Sequence, residues 1–110
     1  MELALGHTAE AWDLLSRLEP RLAGQADLWA LRGNAAQRLS RHEDSVHSYM
    51  EALQLRPEEQ RWQLGLAVSL AALGRTAAAA EVADKARAMG PISRDVLAYL
   101  RQMGVSIKDK

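Results

Sequence analysis

Glu43, His47 and Glu51 follow one another at intervals of four, the spacing that stacks side chains on one face of a helix. Two carboxylates and an imidazole so aligned could hold a divalent metal. The simpler reading of the same three residues is a solvated helix face laced with weak ion pairs. Nothing else converges on them: of the other two histidines, His7 is remote and His42 lies five positions from His47, a poor spacing for one face. Trp12, Trp29 and Trp62 could stack on a flat ligand, but burial propensity and helical spacing favour a place in the core. Serine and aspartate are scattered where caps and turns are expected. No glycine-rich phosphate loop, nucleophile elbow or paired carboxylate in an apolar setting is present. Cysteine is absent, which removes disulfides, thiolate zinc sites and cysteine nucleophiles. No catalytic residue, cofactor site or metal site is expected.

The elements that would position these residues are helices. The 110 residues suit one domain with one core. Alanine and leucine dominate, phenylalanine is absent, and no alternating strand pattern occurs. Lysine plus arginine and aspartate plus glutamate both number 14, a balance that argues against a nucleic-acid binder and against docking on an anionic membrane. The N-terminal stretch MELALGHTAEAW lacks the basic flank and long apolar run of a signal peptide. The uncharged run 64–73 has ten residues, short of the roughly 18 that a membrane helix needs.

Sliding the chain by 34 residues brings it into register with itself. Pro57 falls on Pro91, Ala52 on Ala86, Leu39-Ser40 on Leu73-Gly74, Ser45 on Ala79 and Gly33 on Ala67. Small residues align with small, and breakers with breakers. Within this period the spacing predicts helices over 26–39, 41–55, 60–73 and 76–89. Leu28, Trp29, Ala35, Ala36 and Leu39 form one apolar face, and Val46, Tyr49, Met50 and Leu53 another. Ser40-Arg41-His42-Glu43 reads as a capping box opening the helix at 41. Arg56-Pro57, Gly74 and Gly90-Pro91 are stops. A further helix over 7–19, with Ala11, Trp12, Leu14, Leu15 and Leu18 apolar, ends at Pro20. A last one over 93–103 turns Val96, Leu97, Leu100 and Met103 inward, and SIKDK is expected to fray.

These residues resemble the tetratricopeptide repeat, a helix-turn-helix unit of 34 residues. The matching positions are Trp29, Gly33, Ala36, Ser45, Tyr49, Ala52 and Pro57 in one repeat, and Leu66, Ala67, Leu70, Gly74, Ala79, Ala86 and Pro91 in the next. The resemblance covers about residues 5–100. It implies an all-α, right-handed α-solenoid of about six helices in one domain: a partial repeat over 5–25 with only its second helix, full repeats over 26–59 and 60–93, and a terminal capping helix over 94–105. Gly33, Ser45 and Ala52 would let helices approach closely. Arg32 departs from the family pattern, standing where an apolar residue is usual. Trp62 comes one place early, and Ala83 replaces an aromatic opposite Tyr49, which should thin the packing there.

The resemblance also implies a concave groove lined by the first helix of each repeat. On a helical wheel Trp62, Leu66, Leu70 and Leu73 lie within about 80° of one another and form a core stripe, while Leu64, Val68 and Ala71 lie nearly opposite. Arg61, Leu64, Val68 and Ala71 match groove positions. Asp27, Ala30, Asn34 and Gln37, with Arg38 beside them, match on the preceding helix, and Asp95, Ala98 and Gln102, with Tyr99 nearby, on the last. An apolar centre with polar flanks suits an amphipathic helix or extended peptide of another protein. Asn34 matches one residue of the carboxylate clamp found in some members, but Ala30 and Gly65 stand where its other ligands belong, so that clamp is expected to be absent.

The function so implied is non-catalytic protein binding, as scaffold, chaperone or assembly adaptor. The alternative is a self-association module: a first helix without its partner leaves an apolar face that a second copy, or a missing segment of a longer chain, could cover. RWQLGLAVSLAALGR at 61–75 and ISRDVLAYLRQ at 92–102 also resemble the terminal repeats of bacterial pilus-biogenesis proteins of the mannose-sensitive haemagglutinin type. That likeness implies a pilus- or secretion-assembly setting and a periplasmic location.

Overall fold

Three helices of the computed structural model end in the same turn, and that turn sets the architecture. Residues 5–18 and 24–107 are described. The helices are α1 (Leu5–Arg17), α2 (Ala26–Arg38), α3 (His42–Leu55), α4 (Gln60–Ala72), α5 (Thr76–Met89) and α6 (Arg94–Gln102). Ser40, Gly74 and Gly104 follow α2, α4 and α6 with φ of 62°, 80° and 94°. After each, the next N–H reaches back over the helix end: Arg41 to the Ala36 carbonyl (2.8 Å), Arg75 to Leu70 (2.9 Å), Val105 to Leu100 (3.0 Å). This left-handed cap satisfies the last carbonyls and reverses the chain.

The Ser40–Glu43 capping box is therefore corrected. Ser40 closes α2 rather than opening α3, because the reversal needs a positive φ at that residue. Arg41 holds the N-cap of α3 with no side-chain cap bond, and Arg75 does the same for α5. The serine cap is at Ser93, whose Oγ accepts from the Val96 N–H at 3.2 Å.

The two reversals pair α2 with α3 and α4 with α5 as hairpins. α1 packs on α2 and α3 on α4, while α4 also touches α2 and α6. The first helices of the hairpins thus form one layer with α6, and α1, α3 and α5 form the other. The predicted 34-residue period is met in the helix starts: α2, α4 and α6 begin at residues 26, 60 and 94, and α3 and α5 at 42 and 76. The result is an all-α helical-hairpin solenoid. Pro20, the expected stop of the first helix, lies outside the described residues. No helix among them is long and apolar enough to cross a membrane.

The core runs between the layers through Trp29, Tyr49, Leu53, Trp62, Leu66, Leu70 and Leu100. Burial differs from the sequence expectation at several points, Trp12 among them, being half-buried and outside the core. Met50 is 50% exposed, because α5 offers only Val82 and Lys85 across a shallow hollow of about 260 Å³. Leu14 on α1 is 57% exposed. The chain after α6 does not fray at once: Val105 and Ile107 are buried and join the core, because the turn at Gly104 folds them back over it. α6 has nine residues against thirteen in α2 and α4, one turn fewer, which lets this segment close the end of the array.

Candidate protein-binding groove

α4 forms the floor of the face shared by α2, α4 and α6. Its Trp62, Leu66 and Leu70 are buried in the core, while Leu64 and Val68 on the other side are half-buried. Arg61 is exposed at its first turn, and Ala71 is buried. On α2, Asp27, Asn34 and Arg38 are exposed, Ala30 is buried and Gln37 is half-buried. On α6, Asp95, Ala98, Tyr99 and Gln102 are all exposed.

Four of these residues, Asp27, Ala30, Asn34 and Arg61, meet in a cleft of about 360 Å³ between α2 and α4. Leu31, Tyr49, Arg56, Glu59 and Trp62 complete its lining. Sequence reasoning did not assign these five to the groove. One signal was available for Leu31: it shares its register with Gly65 and Tyr99, each 34 residues on. Leu31 is 52% and Tyr99 48% exposed, so two apolar knobs flank a position with no side chain.

Tyr49 explains why that position is glycine. Its ring rises from α3 into the space between Gly33 of α2 and Gly65 of α4. A Cβ added at Gly33 would lie 2.9 Å from Tyr49 Cδ2, and one at Gly65 would lie 2.6 Å from Tyr49 Cζ. Both are closer than real side chains pack. Burial pushes the Tyr49 phenol above the usual tyrosine pKa, while the hydrogen bond from Asn34 and the nearby Arg38 charge pull it back. Neutral tyrosine is therefore the form this slot holds.

Beneath the groove runs a chain of buried hydrogen bonds. Gln37 Nε2 donates to the Gly65 carbonyl (2.9 Å) and to Ser69 Oγ (2.8 Å). Ser69 donates to Ser45 Oγ (2.7 Å), which donates to the Gly33 carbonyl (2.9 Å). Both serines are fully buried, so each hydroxyl needs its partner. The Gln37 amide is thus turned inward, binding α2 to α4.

The charges divide into two sets. Asp27 receives Arg56 at 2.6 Å, and Glu59 lies 3.6 Å from the same guanidinium, which also sits 4.9 Å above the Trp62 ring. Arg38 donates its Nε to Asn34 Oδ1 at 3.1 Å, and Arg61 has no ion pair among the described residues. Away from the groove, Glu43 turns to Arg75 and His47 sets its ring against Trp29 at 5.5 Å, so two of the helical trio Glu43, His47 and Glu51 are engaged with separate partners. Trp29 and Trp62 are core residues, whereas Trp12 is half-buried under the guanidiniums of Arg32 (4.4 Å) and Arg41 (5.4 Å).

Comparison with curated proteins finds no match. The family model of the tetratricopeptide repeat matches residues 30–92, more than half of the chain, and spans both hairpins and the α2–α4 face. Repeats of this family generally mediate protein–protein interaction, and the fold they build is a non-enzymatic one. With its 34-residue period, paired helices and left-handed turns, the chain belongs to the tetratricopeptide repeat family.

Proposed function

We propose that the α2–α4–α6 face binds a helix or short peptide of another protein, and that the molecule acts as a non-catalytic scaffold or assembly adaptor. The observation that carries this reading is the second apolar side of α4. Leu64 and Val68 are half-buried on α4, Val68 partly packed against the core, and Leu31 on α2 and Tyr99 on α6 are exposed. An apolar strip flanked by Asn34, Arg38, Arg61 and Gln102 fits an amphipathic segment laid across it. The pilus- or secretion-assembly setting rests on the resemblance of residues 61–75 and 92–102 alone.

The test is a partner recovered by pull-down and identified by mass spectrometry, then titrated against variants. Leu64→Glu and Val68→Asp should each weaken its binding at least tenfold while the helical circular-dichroism signal is kept. Full binding by both variants overturns the groove. A second reading is favoured by Leu14, exposed on the apolar side of α1: a homodimer through that helix. Light scattering across concentration decides it, since a dimer split by Leu14→Glu but not by Leu64→Glu places the interface on α1, and a strict monomer removes it.

A further inference from the structure

α6 is attached to the array unlike the first helices before it. Among the described residues its backbone comes close to one other helix, α4. α3 covers α2 and α5 covers α4, with Gly33 and Ala67 buried at the close approach. The same register on α6 holds Arg101, which is exposed. α6 has nine residues and fully buries Leu100 alone, while Val96, Leu97 and Met103 lean half-buried on the core. Beyond the turn at Gly104, Val105 and Ile107 are buried as well, and the Val105 N–H donates to the Leu100 carbonyl at 3.0 Å. At the other end, the linker from α5 starts at Gly90, whose φ of 154° and ψ of 179° are essentially restricted to glycine. Arg56 stands at that register between α3 and α4. Gln60, the first residue of α4, holds this linker: its Nε2 donates to the Ala86 carbonyl in the last turn of α5 and to the Gly90 carbonyl, both at 2.9 Å. At the register of Gln60, α2 has Ala26, which can make no such bond.

We infer that residues 94–107 form a hinged strap, latched by Gln60, which undocks from the core as one unit while both hairpins stay folded. A nine-residue helix does not persist alone in water, so α6 melts once Leu100 leaves its place. The turn at Gly104, which folds Val105 and Ile107 onto the core, goes with it, and these anchors are given up together. Gly90 is the hinge, free to turn where a side chain would restrict it. Gln60 spans that hinge, from the end of α5 to the linker, and opening costs it both carbonyls. The strap carries Ala98, Tyr99 and Gln102, so opening removes one wall of the α2–α4–α6 face and closing restores it. A partner lying across that face binds the closed form better and so holds the strap shut. This consequence rests on the groove reading above, whereas the opening itself does not.

Native-state hydrogen exchange of the full chain, read residue by residue by NMR, tests the strap without a partner. The hydrogen-bonded amides of α6 and of Val105 should share one protection factor to within about threefold, and it should lie at least about tenfold below those of α3 and α4. Gln60→Ala should lower the shared factor about tenfold further, since the closed form alone loses the two bonds. Leu100→Ala should abolish protection in α6 and at Val105 while α2, α3 and α4 still exchange slowly. Protection of α6 equal to that of α4 overturns the strap, and so does protection that differs between α6 and Val105. Loss of protection throughout the chain in Leu100→Ala overturns it too, because α6 would then belong to one cooperative unit. Unchanged exchange in Gln60→Ala overturns the latch. None of these results touches the groove reading, which the binding of Leu64→Glu and Val68→Asp decides by itself.

Discussion

The two hairpins share a backbone course and differ in what fills them. In α2/α3 the buried positions Arg32, Gly33, Ser45, Ser48 and Tyr49 include a charge, two hydroxyls and a phenol. At the same register in α4/α5 stand Leu66, Ala67, Ala79, Val82 and Ala83. The first hairpin is spaced by one large ring and tied by polar bonds: Arg32 donates to Ser48, and Ser45 to the Gly33 carbonyl. The second is filled with methyl groups, and Ala79, Ala83 and Ala86 are fully buried. One backbone period therefore accepts two internal chemistries, provided that each is complete. A ring demands glycines opposite it, and a buried hydroxyl demands a partner.

That contrast can be broken in four places. Alanine serves at 83, but Tyr49→Ala should cost about 3–5 kcal/mol in urea or thermal unfolding, because it empties the slot between Gly33 and Gly65. A cost under about 1 kcal/mol would show that the hairpins are interchangeable. Gly65→Ala comes next, at about 2 kcal/mol, since its methyl would overlap the Tyr49 ring and helix propensity recovers only part of the loss. Combining it with Tyr49→Leu should give less than the sum of the two. Ser48→Val, which imports the residue found at 82, removes the hydroxyl that accepts from buried Arg32 and should cost roughly 1.5 kcal/mol. Arg32→Leu/Ser48→Val imports the whole pair and should recover most of that in the same denaturation assay. The smallest effect is at the turns: Ser40→Gly should stabilise by about 1 kcal/mol, and Gly74→Ser should destabilise by a similar amount, because both positions carry a left-handed φ.

The helices and their period were legible because breakers and small residues recur at one spacing, and each helix boundary falls within two residues of its expected place. Ser40 shows where local and periodic signals compete. Ser-x-x-Glu satisfies a capping pattern, yet alignment with Gly74 already pointed to the end of α2, and the period was the better guide. Val105 and Ile107 were missed because a short segment carries no periodicity of its own, and only the turn at Gly104 brings it to the core. On the α2–α4 face, the four cleft residues named from sequence lie on helical positions that a wheel can place. Tyr49, Arg56 and Glu59 come from outside the first helices, so no single-helix pattern reveals them. Gln37 has a groove register, but its amide finds the Gly65 carbonyl and the Ser69 hydroxyl on the neighbouring helix.

The ring of Tyr49 between two glycines has a geometric consequence for the array as a whole. α2 and α4 cannot close on each other beyond the bulk of that ring, so a residue of the opposite layer acts as a shim between them. The angle between successive hairpins, and with it the curvature of the α2–α4–α6 face, is gauged by a side chain that belongs to neither helix it separates.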